Sequence, residues 1–120
     1  MKKTSLTDVP SEEQEQFAVA EYLRLKRVFF HHSPNEGKND VQYIVKLKRL
    51  GMRVGFPDLL IFEPRGKFHG LAIELKRRKG GRVSDAQSKC LEELSERGYR
   101  AEVAKGFDEA KKIIDEYLKL

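Results

Sequence analysis

The sequence predicts an α/β sandwich built around a small mixed β-sheet. Apolar residues at helical spacing alternate with short apolar or β-branched runs, in the order α-β-α-β-β-α-β-α. Two Ser-x-x-Gln pairs, Ser11–Gln14 and Ser84–Gln87, stand where helices should begin. Two strands joined by a short turn predict an antiparallel pair within that mixed sheet. At 120 residues the chain suits one domain, with about two-thirds of its unfolded surface buried.

Residues 1–10 read as an N-terminal arm and residues 11–120 as the domain. Ser11 opens a first helix running to about Lys26, with Gln16, Val19, Ala20 and Leu23 as its stripe. Val28 to His32 is a β-branched and aromatic strand, and Ser33 to Asp40 a loop rich in turn formers. Val41 to Leu50 repeats at helical spacing and is closed by Gly51. Leu59 to Phe62 is an apolar strand, Glu63 to Gly66 a turn, and Leu71 to Lys76 the next strand. A basic loop, Arg77 to Arg82, leads to a third helix that carries Cys90, Leu91 and Leu94 and ends at Gly98. Tyr99 to Ala104 is the last strand. Phe107, Ala110, Ile113, Ile114, Tyr117 and Leu118 are the stripe of a terminal amphipathic helix.

Composition narrows the function classes. Charged residues make up 36% of the chain and the net charge is +5, which is compatible with an anionic partner such as nucleic acid without requiring one. One cysteine, Cys90, excludes an internal disulfide framework and is expected in the core. The polar residues after Met1-Lys2-Lys3 do not make a secretory leader, and no apolar run approaches a membrane span, so no membrane association is expected. His31, His32 and His69 lack zinc-site spacing and read as structural or surface residues. A phosphate-binding P-loop is absent.

The chemistry gathers on the two central strands. Side chains alternate, so Leu71, Ile73 and Leu75 share one face of their strand while Ala72, Glu74 and Lys76 share the other. A hairpin turning near residues 65–66 brings Asp58 opposite residue 74 within about a residue. Two opposed carboxylates repel unless a cation lies between them, and an oxygen donor set with open water positions suits Mg²⁺ or Mn²⁺. Lys76 beside them can orient a water or stabilise charge on a phosphate. Glu12 continues the inward stripe of the first helix, and Gln87 lies on the stripe of the third, so both point toward the same place. Plainer readings stand beside these. Glu74 and Lys76 make an ordinary strand ion pair, Glu12 a first-turn acid suited to the helix dipole, and Gln87 the far half of a capping box.

The residues Pro57-Asp58 followed by Glu74-Leu75-Lys76 resemble the PD-(D/E)xK nuclease motif. The chain more specifically resembles a stand-alone virus-type replication-repair nuclease (VRR-NUC) domain. The resemblance runs through Ser11-Glu12 with Gln16, Asn35-Glu36-Gly37-Lys38, the segment Gly51 to Asp58, Ile73 to Arg77, Ser84 to Gln87 and Gly98-Tyr99. Phe56 departs from the small aliphatic residue usual before the proline. The resemblance implies a restriction-endonuclease-like fold and metal-dependent hydrolysis of DNA, including branched DNA such as Holliday junctions or flaps. It implies Asp58 and Glu74 as metal ligands with the Leu75 carbonyl, Lys76 as the catalytic lysine, Glu12 as the first-helix acid and Gln87 as the supporting glutamine. Glu13 and Glu15 are near alternatives to Glu12. It also implies a homodimer in a phage or bacterial host cytoplasm. Phe29, Phe30, Phe56 and Phe68 are many large aromatics for so small a sheet; either some of them face a partner or all four are core. Asn35, Lys38, Lys46, Lys48, Arg49, Arg53, Arg77, Arg78, Lys79 and Arg82 are the candidate backbone contacts. A binding module of the same fold without turnover, and an RNA-cleaving enzyme, are the alternatives.

Overall fold

The computed structural model describes residues 9–34 and 40–120. The arm predicted over residues 1–10, and Asn35 and Lys38 of the loop, lie wholly or mostly outside the described residues. The elements follow the predicted order: α1 (Glu12–Leu25), β1 (Phe30–His32), α2 (Val41–Leu50), β2 (Leu59–Ile61), β3 (Leu71–Lys76), α3 (Asp85–Glu96), β4 (Arg100–Lys105) and α4 (Phe107–Leu118). Both Ser-x-x-Gln pairs form reciprocal capping boxes, at α1 and α3.

The sheet has strand order β1-β2-β3-β4. The first two pairings are antiparallel, and β3–β4 is parallel with α3 as its crossover. Every residue of β3 is buried, as befits a central strand covered by helices. Leu71, Ile73 and Leu75 join Val19 and Leu23 of α1 and Ala110, Ile114 and Tyr117 of α4 in one core. Cys90 is buried, its Sγ directed at the Val54 carbonyl.

Two strands begin later than their apolar runs suggest, for one physical reason. The Val28 N–H closes the C-terminus of α1 on the Leu23 carbonyl, with Arg27 at φ 56°. The Tyr99 N–H closes α3 on the Leu94 carbonyl, with Gly98 at φ 92°. An N–H that ends a helix is not available to a sheet ladder, so β1 starts at Phe30 and β4 at Arg100. Of the four phenylalanines, Phe30 and Phe68 pack against the core, Phe56 is half-buried and Phe29 is exposed against Phe62.

Candidate active site

The register of the central hairpin pairs Leu59 with Ile73. One residue further out, Asp58 therefore faces Glu74. Asp58 is held at both ends: its Oδ2 accepts from the Leu75 N–H at 2.7 Å, and its carbonyl accepts from the Ser33 N–H at 2.8 Å. Glu74 is 1% exposed, and the Lys76 Nζ lies 3.8 Å from its Oε2. The Lys76 carbonyl accepts from the Gly106 N–H, which ties the end of β3 to the start of α4.

These three side chains, Glu12 of α1 and Gln87 of α3 line one cleft of about 100 Å³, together with Ser33, Pro34, Gly55 and Phe56. Gln87 arrives there because Gly55 lets the 51–57 segment pass directly over the first turn of α3. With φ at 82°, a Cβ on Gly55 would sit 2.6 Å from the Ala86 carbonyl carbon and 2.7 Å from the Gln87 nitrogen. Gln87 also completes its capping box, its Oε1 accepting from the Ser84 N–H at 2.8 Å. Capping and cleft lining coexist: the oxygen is engaged and the amide nitrogen is left to donate.

The cleft is electrostatically incomplete. Burial, then the hydrogen bond and charge of Asp58, push the Glu74 carboxyl up to about 9, while Lys76 pulls the other way. Burial and the Asp58 charge also raise Glu12. The Glu74 Oε1 is buried without a hydrogen-bond partner among the described residues. Among the described residues no three carboxylate, histidine or cysteine groups form a ready metal cage. Two opposed carboxylates with an orphaned oxygen fit a hard divalent cation that keeps several waters.

The first helix differs from the expected stripe. Glu15, not Glu12, is its fully buried acid, 2% exposed, in line with Val19 and Leu23 at four-residue steps. The Arg78 Nε donates to Glu15 at 3.1 Å and 3.2 Å, and the Phe107 N–H donates to its Oε1 at 3.2 Å. Glu15 thus caps α4 from outside, because the Gly106 N-cap has no side chain to do so. Arg78 is held in a structural pair and not displayed as a free cation. Arg53 is paired with Glu93 at 2.6 Å, and Arg77 reaches the Val9 carbonyl. Lys46, Lys48, Arg49, Lys79 and Arg82 are exposed.

His32, which its spacing alone marks as structural or surface, lies on the rim, with its Nδ1 3.0 Å from the Asp58 carbonyl. It shares a β1 face with Phe30 and aligns through Leu59 with Ile73, on the side of the sheet opposite Glu74, so the strand alternation does not point to it.

The VRR-NUC domain family matches residues 10–108 of the chain. The chain belongs to the VRR-NUC family. A solved structure described as a VRR_NUC domain protein superposes with a TM-score of 0.80 at 33% identity, over 100% of this chain and 93% of that one. A second, described as a VRR_NUC domain, shares the fold with a TM-score of 0.60 at 21% identity, over 90% of this chain and 99% of that one. No curated protein matches. The VRR-NUC assignment makes this a nuclease-type fold with the restriction-endonuclease-like sheet. Among the described residues no helix of this VRR-NUC chain is long and apolar enough to cross a membrane.

Proposed function

We propose that the protein is a Mg²⁺- or Mn²⁺-dependent DNA endonuclease acting on structured or branched DNA. The supporting observation is that Glu12, Asp58, Glu74, Lys76 and Gln87, drawn from four parts of the chain, line one cleft with a buried carboxylate oxygen that has no partner among the described residues. Asp58, Glu74 and the Leu75 carbonyl would hold the cation, with Glu12 reaching it through water. When bound, the cation offsets the crowded carboxylates and stabilises the charge gathering on the phosphate. The Leu75 N–H fixes the Asp58 rotamer. Lys76 orients the attacking water and donates to the phosphate as negative charge develops. The Gln87 amide nitrogen supplies a further donor at the cleft wall.

A metal titration with labelled four-way, flapped and linear DNA, and a matching RNA, tests the reading. Product is expected only with Mg²⁺ or Mn²⁺, and most from the branched DNAs. Binding without metal-dependent product overturns the enzyme in favour of a binding module, and product from RNA alone overturns the DNA assignment.

The nuclease is proposed to act as a homodimer, since cutting both strands of a junction takes two active sites. The support is α2, which has no buried residue and leaves Val41, Tyr43, Val45 and Leu50 exposed. A ten-residue helix is marginal alone, and a second copy packed against this helix would stabilise it. Light scattering should give twice the 13.9 kDa chain mass, and a monomer mass at micromolar concentration would refute the pairing.

A further inference from the structure

We propose that the protein seats an unpaired nucleobase against His32, in an outer chamber beside the reacting phosphate; this rests on the nuclease reading above. The chamber has a volume of about 630 Å³ and shares Glu12, Pro34 and Asp58 with the inner cleft, so the two adjoin. Its size lies in the range of small-molecule sites, ample for a base with its sugar. The charge of its walls decides which part of a nucleotide enters. Glu12, Glu13 and Asp58 line it, and among the described residues no lysine or arginine does. Beyond the cation proposed for the inner cleft, the described walls offer a phosphate no positive charge, whereas a base needs none.

His32 is built to meet that base. The Asp58 carbonyl can only accept, so Nδ1 carries the proton of the 3.0 Å bond. In the neutral ring Nε2 is then an acceptor, and no hydrogen bond of the described residues occupies it. The same bond fixes the plane of the ring next to a residue of the inner cleft. A fixed imidazole that lines a cavity, with a nitrogen that no described residue occupies, is a stacking platform with a polar handle. Gln16 lies on the same wall, with an Nε2 that has no partner among the described residues. A base stacked on both sides within a duplex has no free face for this ring, so the substrate must present an unpaired or extruded nucleotide there.

The test uses the full chain and a branched DNA whose cut has been mapped. A single abasic residue is moved one position at a time through the nucleotides flanking the cut, and affinity is measured by anisotropy in Ca²⁺. At one position the wild type should bind the base-bearing DNA roughly tenfold more tightly than the abasic one. His32→Asn keeps a donor for the Asp58 carbonyl but loses the ring, and should abolish that difference. His32→Tyr restores an aromatic face and should recover it. Equal affinities at every position for the wild type, or an undiminished difference in His32→Asn, overturns the proposal. Metal-dependent cleavage that ignores the base leaves the nuclease reading intact and removes only this inference. Absence of both binding and cleavage overturns both.

Discussion

Glu15 and Glu74 are buried to nearly the same degree, 2% and 1% exposed, yet they are opposite kinds of residue. Glu15 is satisfied: Arg78 donates to both of its oxygens and the α4 backbone donates to one. Glu74 is not, with one oxygen unpartnered among the described residues, a lysine at 3.8 Å and another carboxylate opposite. Burial does not separate structure from function in this pair; the state of hydrogen bonding does. A buried carboxylate with all its partners holds a fold together, and one left short of partners in a cleft awaits a ligand.

The strongest test of this contrast exchanges the two effects. Glu74→Gln should lower cleavage by roughly a thousandfold or more while the domain folds as well as, or better than, the wild type, since carboxylate repulsion is relieved. Glu15→Ala should do the reverse. It should lose at least the ~1 kcal/mol of a helix cap, with near-normal cleavage per folded molecule. Denaturant melts and single-turnover rates on both variants check the pair, and substantial metal-dependent activity in Glu74→Gln would remove Glu74 from the site.

Lys76→Ala comes next, with an expected loss on the order of a hundredfold in rate at saturating DNA and little change in affinity. On the proposed role its contacts strengthen as charge develops on the phosphate. An equal loss in affinity with an unchanged rate would make it an ordinary backbone contact.

The pH dependence sharpens the contrast without any substrate. The Glu74 carboxyl lies near 9 in the folded protein against an ordinary value of 4.5, so the native state keeps a proton that the unfolded chain has released. Metal-free stability should therefore be fully present below the ordinary carboxylate range and fall as pH rises toward about 9. Thermal melts in a chelator at successive pH values should show that fall, and Glu74→Gln should blunt it. A wild-type profile no steeper than the variant's would mean that Glu74 is not the group whose proton is retained.

The smallest expected effect concerns the basic surface. Lys79→Ala with Arg82→Ala should flatten the salt dependence of DNA binding in Ca²⁺ by about 0.9 per lost contact on duplex DNA. Arg78→Ala, which breaks the Glu15 pair, should instead lower the melting temperature. An unchanged slope in the double variant would place the DNA elsewhere.

Much of the molecule was determined by local sequence. Two capping boxes, the apolar stripes and the Pro64–Gly66 turn define the elements. The strand period and turn position alone bring Asp58 across from Glu74, because a hairpin register follows from its turn. Tertiary structure decided the rest. Glu12, Glu13 and Glu15 form a run of acids whose order of burial depends on how α1 lies against α4. Arg78 looks like a free cation until it meets Glu15, 63 residues away in the chain. His32 becomes part of the site only through the Asp58 carbonyl. Gln87 reaches the cleft only because Gly55 lets one backbone pass close to another. Propensity, capping and register act over a few residues and are written in the sequence, whereas the partner of a buried charge is set by which distant surfaces pack together.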